Sequence, residues 1–275
     1  DIVTLGDAGN NVVVRSLESL YGGSGQDRVL LGNRGNTMLV SGVETLTGSL
    51  NTDVISLGNT GSTMFVAAVE TLTGGANTDV VTLDNGGNTF LAVGIESLYA
   101  GGGADLITLG PAGVTMLIQD AEVILGGANT DIVTLGAGGS ATVRGLESLY
   151  GSTGQDYVLL GNQGNTTMVQ GVETLLGGEN TDIITLGDGG NNVLVRGVES
   201  LYGGANTDTV LLGNRGNTMA VVGINVLVGS LNTDVITLSN AGSTMTTSGL
   251  ESLYGGVNTD IVTLGGAGST LSIQG

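Results

Sequence analysis

The sequence predicts an all-β chain folded as a parallel β-solenoid, in which short strands wind coil upon coil around a narrow core. Three observations lead there. A segment that begins with aspartate returns every 26 residues, at Asp1, Asp27, Asp53, Asp79, Asp105, Asp131, Asp156, Asp182, Asp208, Asp234 and Asp260, with one residue missing from the repeat that starts at Asp131. Apolar residues inside each repeat recur two apart, the period of a strand and not of a helix. Glycine is abundant, 52 against a single proline, and falls in fixed columns where tight turns need it. Ten full repeats and a partial eleventh read as one continuous domain over 1–275, ten and a half coils of 26 residues, and as a segment of a longer array without terminal caps.

Each repeat can be numbered from its aspartate. The third position is Val or Ile and the fifth is Leu in every repeat, from Val3 and Leu5 through Val262 and Leu264. Two inward residues one apart make a short strand, with the variable residues between them facing outward. A second apolar pair stands at the twelfth and fourteenth positions, as in Met38 and Val40 or Met116 and Ile118. A third stretch holds Val43 and Leu46, or Val198 and Leu201, whose spacing of three requires a bend near the intervening glutamate. Three strands per repeat imply three faces per coil, coils about 4.8 Å apart and a core narrow enough to admit only Phe65 and Phe90 among phenylalanines.

Two corner columns stand out. Gly9, Gly35, Gly61, Gly87, Gly113, Gly139, Gly164, Gly190, Gly216, Gly242 and Gly268 share one column, which predicts a positive φ or a close backbone contact. Two residues before each next aspartate only Gly or Asn occurs, as Gly25, Asn51, Asn77, Gly103, Asn129, Gly154, Asn180, Asn206, Asn232 and Asn258, the pair expected for a left-handed backbone.

Composition narrows the function classes. There is no Cys, no His and no Lys, so thiolate sites, the commonest general base and a Schiff-base amine are all missing, and the chain is read as a non-enzyme. A net charge of −19 disfavours nucleic acid and anionic membranes as partners and favours cations. No apolar run is long enough for membrane insertion.

Twenty of the 25 acidic residues fall in two columns: the eleven repeat-starting aspartates, and Glu18, Glu44, Glu70, Glu96, Glu122, Glu147, Glu173, Glu199 and Glu251, with Asn225 the exception in the second. One coil per repeat would set like charges about 4.8 Å apart, costing about 0.9 kcal/mol per adjacent pair in water and about 3.5 kcal/mol at an effective dielectric of 20. Such a ladder needs bound cations, turn N–H donors or partial protonation to offset it. The six arginines, Arg15, Arg28, Arg34, Arg144, Arg196 and Arg215, are too few and too scattered.

The turn residues carry a resemblance. Gly22 to Leu30 (GGSGQDRVL), and less completely Gly151 to Val158 (GSTGQDYV), resemble the glycine-aspartate nonapeptide of the RTX calcium-binding repeat proteins; the other repeats look like a variant with Asn for the second glycine, as in Gly74 to Val81 (GGANTDVV). The resemblance implies secretion and calcium held between successive turns by turn carbonyls and the motif aspartates, here Asp27, Asp53, Asp79, Asp105, Asp131, Asp156, Asp182, Asp208, Asp234 and Asp260. The family's coil carries two nonapeptides, whereas here one is followed by seventeen residues of another pattern. Two roles for the aspartates therefore stay open, calcium ligand or cap of their own turn. For the glutamates there are three: acceptor for backbone donors at the bend, solvated side chain, or ion ligand.

The expected function is structural: a calcium-stabilised repeat of a secreted, cell-surface bacterial protein such as an adhesin stalk, an S-layer or a matrix filament, with other copies of itself end to end as possible partners. A flat-face module for ice or polysaccharide is the alternative, suggested by outward threonines such as Thr82 and Thr134 and by the shared column of Tyr21, Tyr99, Tyr150, Tyr202 and Tyr254. A β-helix polysaccharide enzyme is the weakest, resting on Arg15, Arg144 and Arg196, each three residues before a glutamate.

Overall fold

The computed structural model describes residues 1–266 and 271–274, and every regular element among them is a β-strand. Each repeat supplies three, exemplified by Arg28–Leu31, Thr37–Ser41 and Thr45–Thr47. By its internal contacts the chain forms two compact units, Asp1–Gly136 and Ala137–Gly275. The boundary falls in the turn that lacks one residue. Each unit is a parallel β-solenoid of about eight turns, with eight strands in each of two sheets.

Consecutive strands alternate between the sheets. Ile2–Thr4, Ser19–Tyr21, Thr37–Ser41 and Val54–Leu57 are successive neighbours in the first sheet, and Asn11–Val14, Arg28–Leu31 and Thr45–Thr47 in the second. One turn therefore takes two strands, and the expected three-faced coil of 26 residues is corrected to a two-faced coil. Aligned residues lie 17 or 20 apart, as Ile2 beside Ser19 and Ser19 beside Leu39. A repeat of three strands makes one and a half turns.

The physical reason lies at the sixteenth position. There Gly42, Gly94, Gly197 and their equivalents adopt φ near +65°, and even Ser16, Ala68 and Asp120 are held at 55°, 53° and 59°. A left-handed residue reverses the chain within two or three residues, so the bend inferred between Val43 and Leu46 is a full return to the opposite sheet and not a corner between faces. A side chain bearing Cβ is disfavoured in that conformation by about 1–2 kcal/mol. The Gly9 column behaves as expected from Gly9 through Gly242, with one shift: Gly138, not Gly139, is left-handed in the shortened repeat. Gly268 lies outside the described residues.

Inward positions match the sequence pattern. Val29, Leu31, Met38, Val40, Val43 and Leu46 of one repeat are all buried, and the same columns are buried in the repeats that follow as far as Leu253, whereas Leu264 and Ile273 of the last repeat are exposed. Three successive register steps of 17, 17 and 20 residues exceed two repeats by two residues, so strands slide by an even number and inward residues stay inward. Phe90 fills the core at 2% exposure, but Phe65 stands in an outward position at 39%, which corrects its assignment to the core. Phe90→Ala should cost about 3–5 kcal/mol of stability, whereas Phe65→Ala should stay within about 1 kcal/mol. Urea unfolding of the two variants measures the difference; equal losses would contradict the inward–outward assignment.

Candidate functional site

The corner aspartates are the most regular polar feature of the chain, and all ten occupy equivalent places: Asp27, Asp53, Asp79, Asp105, Asp131, Asp156, Asp182, Asp208, Asp234 and Asp260. All but Asp260 are almost wholly buried. At Asp53 the geometry is complete. Oδ1 accepts the backbone N–H of Asn36 at 2.8 Å and its side-chain amide at 2.6 Å, one coil before, and Oδ2 accepts the N–H of Ser49 in its own turn at 2.5 Å. The Asp53 N–H in turn donates to the Glu70 carboxylate at 2.7 Å, one coil beyond. Three successive coils are thus joined at one edge by Asn36, Asp53 and Glu70.

The same chain recurs along the molecule. Oδ1 of every one of the ten aspartates accepts an N–H from the residue 17 before it, from Asn10 to Asp27 through Ser243 to Asp260. Where that residue is Asn, its side-chain amide bonds the same oxygen and also the carbonyl four residues earlier, as Asn165 does to Asp182 and to Gly161. The sequence reading missed this Asn column. Its signal was present: Asn most often follows the left-handed glycine, at a fixed 17 residues before an aspartate.

The glutamates settle into one of the three roles left open. Glu44, Glu70, Glu96, Glu122, Glu173, Glu199 and Glu251 each accept the backbone N–H of the aspartate 17 residues before. Asn225, the sequence exception, does the same for Asp208 through its amide oxygen at 2.8 Å. The Gly/Asn column is corrected. Of its members only Gly103 and Gly154 have positive φ, and no asparagine does. Instead Asn77, Asn129, Asn180, Asn206 and Asn258 donate their side-chain amides to carbonyls 18 residues back, so the amide bridges coils where a left-handed backbone was expected.

The charge ladder also changes. The loop into Asp27 runs from the first sheet to the second and the loop into Asp53 from the second to the first, so alternate aspartates occupy opposite edges. Aspartates sharing an edge, such as Asp27 and Asp79, stand three coils apart, about 14 Å. Their repulsion falls to about 0.3 kcal/mol in water and beyond one Debye length is screened further. The arginines grouped with glutamates in the sequence lie elsewhere: the stems of Arg15, Arg144 and Arg196 cover Gly32, Gly161 and Gly213 of the next coil.

Calcium requires six to eight oxygen ligands. Around the corner carboxylates the near atoms are N–H groups whose hydrogens point at the oxygens a cation would contact, and no group of three or more Asp or Glu side chains able to hold a metal is found among the described residues. The hydrogen bonds at these corners fit the role of a cap on the turn.

Asp27 shows the electrostatic consequence. Burial pushes its carboxyl up, but the side-chain and backbone hydrogen bonds from Asn10 and the N–H of Gly23 together hold it below the ordinary aspartate value of 3.8. A lowered folded value means that Asp27 contributes stability fully present above 3.8 and lost as pH falls through the folded value. Acid titration of thermal stability should therefore show wild type losing its advantage over Asp27→Asn in that acidic window; a constant difference down to the lowest pH would refute the coupling.

One corner is defective. Nine of the ten aspartates receive an N–H from the residue four before them on Oδ2, but Oδ2 of Asp105 is buried with no partner. Its turn starts with Ala100, where Gly22, Gly48, Gly74, Gly151, Gly177, Gly203 and Gly229 stand elsewhere. At those glycines a Cβ would overlap the carbonyl oxygen of the next coil. With a Cβ present the turn takes another path, and Gly101 moves to φ +92° with its N–H away from Asp105. Ala100→Gly should restore the bond and raise stability by about 1 kcal/mol, with slower amide exchange at Gly101; unchanged exchange there would reject the explanation. No family model, no curated protein and no solved structure matches the chain.

Proposed function

We propose that this chain is a structural repeat module of a secreted bacterial surface protein, such as an adhesin stalk, an S-layer or an extracellular filament, held together by its own corner hydrogen bonds. The observation that supports it is the recurrence of one polar joint at ten aspartates, each accepting on Oδ1 an N–H from the neighbouring coil. A catalytic centre needs a locus that differs from its surroundings, with a base and a charge-stabilising group brought together. Here turns are short throughout, and the single change of length is a deletion.

The extracellular setting is supported by the likeness of the Gly22 to Leu30 turn to RTX repeats, and the charge of −19 favours solubility and keeps copies from collapsing on one another. Thermal unfolding in millimolar calcium and in excess chelator tests the self-sufficient scaffold. Coincident melts are expected. A melting temperature that climbs with calcium would transfer the stabilising role from the N–H donors to the ion.

A further inference from the structure

The repeat makes one and a half turns, so alternate repeats present the same strand to opposite sheets. The twenty-first position lies on the outer side of the strand in both, half-buried or exposed except at Leu176, which is buried. Its chemistry nonetheless differs between the sheets. From the third repeat onward the first sheet carries Thr73, Leu125, Leu176 and Val228, while from the fourth repeat the second sheet carries Tyr99, Tyr150, Tyr202 and Tyr254. The fold does not ask for this alternation; one face is distinguished from the other.

In the unit Ala137–Gly275 the tyrosine face has a consistent composition. Its strands, Ser148–Tyr150, Thr166–Gln170, Ile183–Leu186, Ser200–Tyr202, Thr218–Val222, Val235–Leu238, Ser252–Tyr254 and Ser272–Gln274, contain no charged residue. The opposite face of the same unit carries Arg144 and Arg196. Tyr202 and Tyr254 are 40% and 39% exposed. Thr185 precedes Tyr202 and Thr237 precedes Tyr254 in register, and Gln170 and Gln274 follow Tyr150 and Tyr254. Three coils of rise and a slide of two residues place successive tyrosines about 16 Å apart on an oblique row.

We infer that this face binds a neutral, extended glycan. Aromatic rings on a flat face offer apolar surface to the C–H faces of pyranose rings, and tyrosine keeps a hydroxyl for hydrogen bonding at its edge. Threonine hydroxyls and glutamine amides beside the rings supply both donors and acceptors for sugar hydroxyls. An uncharged face on a chain of net charge −19 repels polyanions and provides no carboxylates of its own to draw a polycation. A row with regular spacing matches a polymer that repeats, and each ring adds a modest contact whose effect multiplies along the strand.

Retention on insoluble cellulose and chitin, and retardation in gels containing dextran, test the assignment with the full chain. At least one of these neutral glycans should bind, and the double variant Tyr202→Ala/Tyr254→Ala should weaken binding about tenfold or more, while Tyr202→Phe keeps most of it and Tyr157→Ala, on the opposite face, changes nothing. Deleting 208–233 provides a second arm: one whole 26-residue repeat is lost, the corner joints can re-form, and Tyr254 moves to the opposite sheet. That deletion should fold with an unchanged circular-dichroism spectrum and bind as weakly as the single variant Tyr254→Ala. Binding to none of the glycans, or binding indifferent to the tyrosines, overturns the proposal. So does concentration-dependent self-association that the double variant abolishes, which would assign the face to a second copy of the chain.

Discussion

Once in every repeat a carboxylate that accepts two or three N–H groups ties its coil to the one before it, and the rest of the fold depends on that joint. Parallel strands only three to five residues long hold few ladder hydrogen bonds each, and edges of a two-sheet stack would leave turn N–H groups without partners. Aspartate answers both needs. Its short side chain reaches the donors of its own turn on one oxygen and those of the preceding coil on the other, as Asp182 does with Gly178 and Asn165. Burial of the charge, which would be prohibitive alone, is offset because every donor is preorganised by the turns the carboxylate itself holds.

Winding one and a half turns per repeat eases the electrostatic problem that the acidic composition poses, breaking two continuous ladders into Asp–Glu neighbours separated by an uncharged turn. With one coil per repeat, each carboxylate would face its equivalent across a single strand spacing. The half-integral winding instead sends alternate aspartates to opposite edges, and an edge receives its carboxylates in a cycle of Asn turn, Asp turn and Glu turn. The same arithmetic doubles the information the chain can display. A 26-residue repeat has two faces available, and a 52-residue alternation in sequence becomes a difference between them.

Strand positions and inward columns were legible in the sequence because they follow from side-chain alternation, which is local. Val29 and Leu31 could not have been misplaced. The number of strands per turn was not legible, since whether Gly42 makes a corner or a reversal depends on its φ and not on hydrophobic period; Ser16, Ala68 and Asp120 in the same column hid the signal. Asn77 and its equivalents misled for a related reason. Asparagine is compatible with a left-handed backbone, but here its amide has a better use in reaching the carbonyl of the coil below.

The pattern of substitutions within the joint follows from how many donors each acceptor must satisfy. Glu70 and its equivalents receive one N–H from the aspartate of the previous coil, so one oxygen suffices and the amide of Asn225 can replace a carboxylate without loss. Aspartate must present two acceptor oxygens to donors on two sides, and an asparagine there would turn an NH2 group against an N–H. No repeat places anything but aspartate at that position. On the donor side the demand is looser, because the backbone N–H makes the essential bond. Ser62, Val114, Gly139 and Ser243 all provide it in place of Asn, giving up only the second bond from the side-chain amide.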